Sequence, residues 1–177
     1  FSGPFVVGSD ITCRVTPNDG KIDGVSVEES ATVANTLPIV ASVSLSPSTV
    51  YTNDALTATA VFSDDDTTQT VSGTYAWHVI DVDTGTDSAV QVGTDNTLSG
   101  VGAFDRDDDV YVVVTPNDGV DDGVSLTSIG VTIANTAPTG LAISSAPDPA
   151  ITGQDDLVCS VDTPASDADG DSVVYTY

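Results

Sequence analysis

Methionine is absent from this sequence, histidine occurs once, and only Arg14, Lys21 and Arg106 are basic among 177 residues. Each scarcity excludes something. Three cations cannot build the patch that neutralises a phosphate backbone, so nucleic acid is not an expected partner. No stretch approaches the roughly 18 consecutive apolar residues of a membrane helix, so no membrane span is expected in this segment. Two cysteines and His78 are too few for a zinc or redox centre. No basic n-region leads into an apolar run near Phe1, and the sequence reads as an interior segment of something longer. No Asn-x-Ser/Thr sequon occurs, which leaves Ser and Thr as the acceptors for any O-linked sugar.

What is abundant is aspartate. The net charge is −24, and of the 27 acidic residues only Glu28 and Glu29 are glutamate. A generic acidic surface would use both acids. Aspartate is the shorter one, favoured in turns and in oxygen-ligand cation sites. Solvated acidic loops are the plain alternative. Apolar residues still make up 40%, enough for a packed core and too many for disorder.

An internal repeat organises the chain. Thr16-Pro17-Asn18-Asp19-Gly20 returns 99 residues later as Thr115-Pro116-Asn117-Asp118-Gly119, and Ala34-Asn35-Thr36-Leu37-Pro38 returns 100 residues later as Ala134-Asn135-Thr136-Ala137-Pro138. Asn53–Ala58 corresponds in the same way to Gln154–Cys159. The unit is therefore about 100 residues, bounded by Asn-Thr-x-Pro. Residues 1–38 are the back part of one repeat, 39–138 a complete one, and 139–177 the front of a third.

Within the complete repeat the apolar period is two. Ala41, Val43 and Leu45 alternate with serines; Leu56, Ala58 and Ala60, then Tyr75, Trp77 and Val79, then Val110, Val112 and Val114 do the same. A last strand is expected near Val124–Ile133, and the stretch 87–99 is weakly patterned. Asp-Gly pairs, Pro47 and the Asp64–Asp66 run separate the strands. About seven short strands in 100 residues predict an all-β sandwich. His78 points away from the Trp77 face and reads as a surface residue.

The cysteines fall at informative places. By the repeat register Cys13 corresponds to Val112 and Cys159 to Ala58. An immunoglobulin sandwich joins its strands B and F by a disulfide packed on a strand-C tryptophan. Each flanking fragment thus carries one half of such a pair, its partner outside this segment, and the middle repeat lacks both. Two unrelated buried thiols are the alternative. A disulfide would place the protein in an oxidising, extracellular compartment.

The elements D-x-L-x-C (Asp155–Cys159), D-x-D-G-D-x-V-x-Y-x-Y (Asp167–Tyr177), Trp77, D-x-x-C-x-V-T-P-x-D-G (Asp10–Gly20) and N-T-x-P (Asn135–Pro138) together resemble the Ig-like/PKD-like tandem repeats of large bacterial surface proteins. The resemblance spans essentially the whole chain. It implies tandem immunoglobulin-like β-sandwiches serving as stalk, adhesin or fibre modules at the cell surface, and no enzyme activity. The middle repeat departs from the pattern at both cysteine positions, and reads Asp64-Asp65-Asp66 where the next has Asp167-Ala168-Asp169-Gly170-Asp171.

This topology sends the acidic loops to the joints between repeats. The first joint is expected to collect Asp10 from below and Asp64, Asp65, Asp66, Asp118 and Asp122 from above. The second collects Asn53, Asp54, Asp105, Asp107, Asp108 and Asp109, and across the linker Asp167, Asp169 and Asp171. Carboxylates within a Debye length, about 8 Å, repel one another unless a cation sits among them. Calcium takes six to eight oxygens in irregular geometry, and calcium stiffening the joints is the expectation. Asp-x-Asp-Gly-Asp also opens an EF-hand loop, but the helices an EF-hand needs are not expected here.

A structural repeat of an extracellular fibre is the leading expectation. A module binding a surface glycan is the second, weakened by an aromatic content of 6%. A two-carboxylate hydrolase is the third, disfavoured because the aspartates recur at turn positions. The fragmentary ends are expected to be completed by the same chain continuing, or by copies associating head to tail.

Overall fold

The computed structural model describes residues 5–177. The described residues form strands and turns, with no helix. Two antiparallel sheets enclose one core, and both belong to the middle unit. The first sheet has three strands in the order β3 (Ile39–Ser46), β4 (Ala55–Ser63), β7 (Thr97–Ser99). The second runs β10 (Val131–Thr132), β8 (Asp109–Asn117), β5 (Ser72–Ile80), β6 (Asp87–Gly93), with β9 (Leu126–Thr127) also on β8.

The period of two sets what is buried. Leu56 and Ala58 of β4 and Leu98 of β7 meet Tyr75, Trp77 and Val79 of β5 and Val110, Val112 and Val114 of β8. Trp77, Ala58 and Val112 are wholly buried together, so small and medium side chains fill the slot assigned by sequence to a disulfide. Val50 and Ile133 close the end nearest the second linker, where the Ala134 N–H donates to the Val50 carbonyl at 2.7 Å. The expected last strand is split into β9 and β10, because Ile129 and Gly130 between them leave the ladder.

The flanking fragments are two-stranded hairpins: β1 (Asp10–Val15) with β2 (Val27–Thr32), and β11 (Ala142–Ala146) with β12 (Val158–Thr163). Residues 173–177 form no strand. The hairpins copy the middle unit. Cys13 lies opposite Glu29 as Val112 lies opposite Ser128, and Cys159 opposite Ser145 as Ala58 lies opposite Leu45. Their turns repeat bond for bond. Asn18 Nδ2 donates to Asp23 at 2.5 Å and Asn117 Nδ2 to Asp122 at 2.7 Å; Thr16–Ser26 and Thr115–Ser125 hydroxyl pairs are both 2.7 Å.

With one face each uncovered, the hairpins leave apolar residues in water, among them Val25, Val27, Ile143 and Leu157. The chain exposes 11640 Å², against about 8000 Å² for a compact monomer of this mass. Both cysteines are free and exposed, one on each hairpin.

Candidate functional site

The two Asn-Thr-x-Pro linkers are where side chains from different units converge. At the first, Asp66 Oδ2 accepts the Thr36 N–H at 2.7 Å, while Asp64 Oδ1 accepts the Asp66 N–H at 2.8 Å and so holds that carboxylate in place. At the second, Asp169 Oδ2 accepts the Thr136 N–H at 2.6 Å and Asp167 Oδ1 accepts the Asp169 N–H at 2.9 Å. The same two bonds thus capture both linkers.

Around this common core the joints differ. At the first, Asn35 is clamped from two sides. Its Nδ2 donates to Asp118 Oδ2 at 2.9 Å and Asp121 Oδ2 at 3.1 Å, and its Oδ1 accepts from Gln69 Nε2 at 2.8 Å. Asp118 is 5% exposed, yet its carboxyl lies below its ordinary pKa. The Asp121 N–H contributes most; burial opposes it, and Asn35 and the Val120 N–H add to the lowering. Asp118 is therefore a buried, fully hydrogen-bonded staple. Gly123 presses on the same linker so closely that a Cβ there would lie 1.8 Å from the Pro38 carbonyl oxygen.

At the second joint Arg106 takes the place of the amides. Its Nη1 donates to Asn135 Oδ1 at 3.2 Å and pairs with Asp171, while its Nε reaches Asp107 at 3.3 Å. Ligand oxygens of Asp167, Asp169 and Asp171 lie within 4.8 Å of one another, the one such acidic group among the described residues. Burial pushes the Asp169 carboxyl upward, but the Thr52 hydroxyl, the Thr136 N–H and hydroxyl, and the Arg106 charge outweigh it, leaving the pKa lowered. Thr52 and Thr136 turn hydroxyls towards that carboxylate, and each can donate to it.

Of the sequence-assigned cation ligands, then, only Asp167, Asp169 and Asp171 converge. Asp64 and Asp66 hold the first linker, and Asp65 is exposed. Asp122 secures a turn through Asn117. Asp108 is 8% exposed, its oxygens taken by the Val82 and Asp105 N–H groups at 3.0 and 2.8 Å. Asp105 and Asp107 stay outside the cluster, Asp107 beside Arg106. Asp109 packs on Gly130, where a Cβ would meet its carboxylate at 2.6 Å. Thr52, Gln69, Arg106 and Asp121 were missed as site residues, since a lone polar residue in a loop carries no pattern to read, and Asn35 was read only as part of the Asn-Thr-x-Pro boundary.

One further cluster sits on the outer face of the larger sheet. His78 stacks on Tyr111 at 4.9 Å, the His78 Nδ1 to Asp87 Oδ1 distance is 2.9 Å, and the Tyr111 hydroxyl donates to Asp87 Oδ2 at 2.6 Å. The Tyr111 and His78 contacts hold the Asp87 carboxyl below its usual pKa, and Asp87 raises that of Tyr111. Both carboxylate oxygens are occupied, so the cluster pins β5, β6 and β8 rather than offering polar groups to a ligand. No family model matches this chain, and no curated protein matches it significantly.

Proposed function

We propose that the chain is a stretch of tandem immunoglobulin-like β-sandwich repeats, units 1–38, 39–138 and 139–177, acting as a structural spacer in an extracellular fibre, stalk or adhesin. One observation carries it: each linker is held by the repeat that follows through the same aspartate-to-threonine bond, 2.7 Å at Thr36 and 2.6 Å at Thr136. A binding module or an enzyme has no need to fix the path of its linkers. A spacer does, because its product is length and direction. Cation binding at the joints fits this role, since it would reinforce a linker path already chosen by hydrogen bonds. In an array, Cys13 and Cys159 would each face a strand of their own completed repeat and form its disulfide.

Small-angle scattering on a recombinant array of several such units tests the proposal. An elongated profile whose maximum dimension grows linearly with the number of units is expected. A compact profile, whose radius of gyration grows only as about the 0.38 power of chain length, or a flexible-coil profile, overturns it.

A further inference from the structure

Asn35 and Asn135 open the two linkers, and in each the side-chain carbonyl accepts a hydrogen bond. At the first joint the donor is a neutral amide, Gln69 of the following repeat, at 2.8 Å. At the second it is the Arg106 guanidinium of the preceding repeat, at 3.2 Å, and the same Nη1 pairs with Asp171 of the following one. Among the described residues this is the one ion pair that joins two units.

The repeat register places both partners of that pair, and at the first joint both are missing. The Gly8 N–H donates to the Val33 carbonyl at 2.9 Å as the Asp107 N–H does to the Ile133 carbonyl. Gly8 and Asp107 also share a positive φ, so Val7 stands where Arg106 does. Asp66 and Asp169 make the same bond to their linkers, which puts Thr68 in the place of Asp171. The surroundings explain why the second joint needs a cation of its own. Asp105 and Asp107 flank Arg106 on one side of the linker, and Asp167, Asp169 and Asp171 gather on the other. Without Arg106 the joint would set carboxylates against carboxylates, which repel within a Debye length of about 8 Å. With it, the contact across the linker is attractive, and its charge is felt at Asp169 as well. Arg106 and Asp171 both remain partly exposed, so dissolved salt reaches the pair and screens it.

We propose that Arg106 is an ionic latch between repeats: it closes the second joint by charge, whereas the first joint is closed without an ion pair. The contribution of Arg106 then fades as ionic strength rises, and no such dependence exists at the first joint. This rests on the tandem-repeat reading and adds that stiffness is set joint by joint.

Amide exchange in the isotope-labelled 177-residue chain, with chelator present throughout, is the test. Thr136 reports the second joint and Thr36 the first. Both amides follow an asparagine and bond an aspartate, so Thr36 is the internal reference. At about 0.05 M salt, Arg106→Gln should speed exchange at Thr136 about two- to fivefold and leave Thr36 unchanged. At about 1 M salt, where the Debye length is about 3 Å, that ratio should fall towards one. In an Asp171→Asn background the effect of Arg106→Gln should be at least halved. Trp77 fluorescence melts verify that each variant keeps its folded middle unit. An unchanged Thr136 amide, an acceleration that high salt does not diminish, or additive effects of the two substitutions overturns the proposal. An array that scatters as an elongated particle while Thr136 ignores Arg106→Gln removes the latch and leaves the spacer standing.

Discussion

Replacing Gly123 by alanine isolates the grip of the middle repeat on its linker. Its φ is not positive, so alanine meets no backbone penalty at that position. A Cβ would instead lie 1.8 Å from the Pro38 carbonyl oxygen and 2.9 Å from the Pro38 carbonyl carbon and Pro116 Cγ. Real Cβ atoms do not approach within 3.0 Å, so linker and loop must separate by more than an ångström. Overpacking of this kind costs about 1–3 kcal/mol. Each kcal/mol lowers the melting temperature of a unit this size by roughly 4–8 °C. The repeat supplies its own control. Gly24 holds the equivalent place in the first hairpin, where a Cβ meets only Pro17, at 2.9 Å from ring carbon Cγ. A proline ring can pucker away, and Gly24→Ala should cost less than about 0.5 kcal/mol. Thermal melts followed by Trp77, the single tryptophan and wholly buried in the middle unit, report the difference. Amide exchange at Thr36, whose N–H bonds Asp66, should accelerate in Gly123→Ala alone. Equal melting of the two variants, or an unchanged Thr36 amide, would refute the claim that the loop sits on the linker.

Further outcomes follow from the same packing. With Cys13 and Cys159, both free and exposed, replaced by serine, the double variant Ala58→Cys/Val112→Cys should close a disulfide in the middle unit, closing a loop of about 55 residues and adding up to roughly 4 kcal/mol; free thiols after oxidation would sink the assigned register. Leu56→Ala, at a wholly buried position, should destabilise by about 2–5 kcal/mol, whereas Val25→Ala, 86% exposed, should stay within about 0.5 kcal/mol in this chain; chemical denaturation measures both. Asp87, Asp118 and Asp169 have folded pKa values below the ordinary 3.8. The unfolded chain binds protons first as pH falls, so their contribution is present above pH 3.8 and is lost progressively below it. Tyr111 is shifted up from 10.0, so its contribution is present below that value and is lost as pH rises through the folded one. Melts between pH 2 and 11 check both arms, and Asp87→Asn should flatten the alkaline one.

The β architecture was legible because strands announce themselves by a period of two. Of the positions read as inward-facing, Leu56, Ala58, Tyr75, Trp77, Val79 and Val110–Val114 in alternation are buried, whereas Val43, Leu45 and Ala60 are half-buried and Ala41, at an irregularity in the β3–β4 register, is exposed. The repeat was legible because its turns use residues with little freedom, Asn-Asp-Gly above all, and those turns recur down to the same hydrogen bonds. The joints were legible only in part. Sequence placed the acids near the linkers, but most aspartates there are consumed as acceptors for nearby N–H groups, as Asp108 and Asp118 are. An aspartate that staples a turn and one that could hold an ion look alike until their second oxygens are accounted for. Thr52 and Arg106 matter through partners more than 60 residues away and across the linker in both cases, which no local pattern encodes.

The paired bonds at Thr36 and Thr136 also bear on scale. A joint that swivels freely adds a random turn at every repeat, and the end-to-end reach of such a chain grows only as the square root of its length. A joint locked by the same bond each time turns every repeat through the same angle. Error then no longer accumulates as a walk, and the reach of such an array would grow in proportion to the number of its repeats.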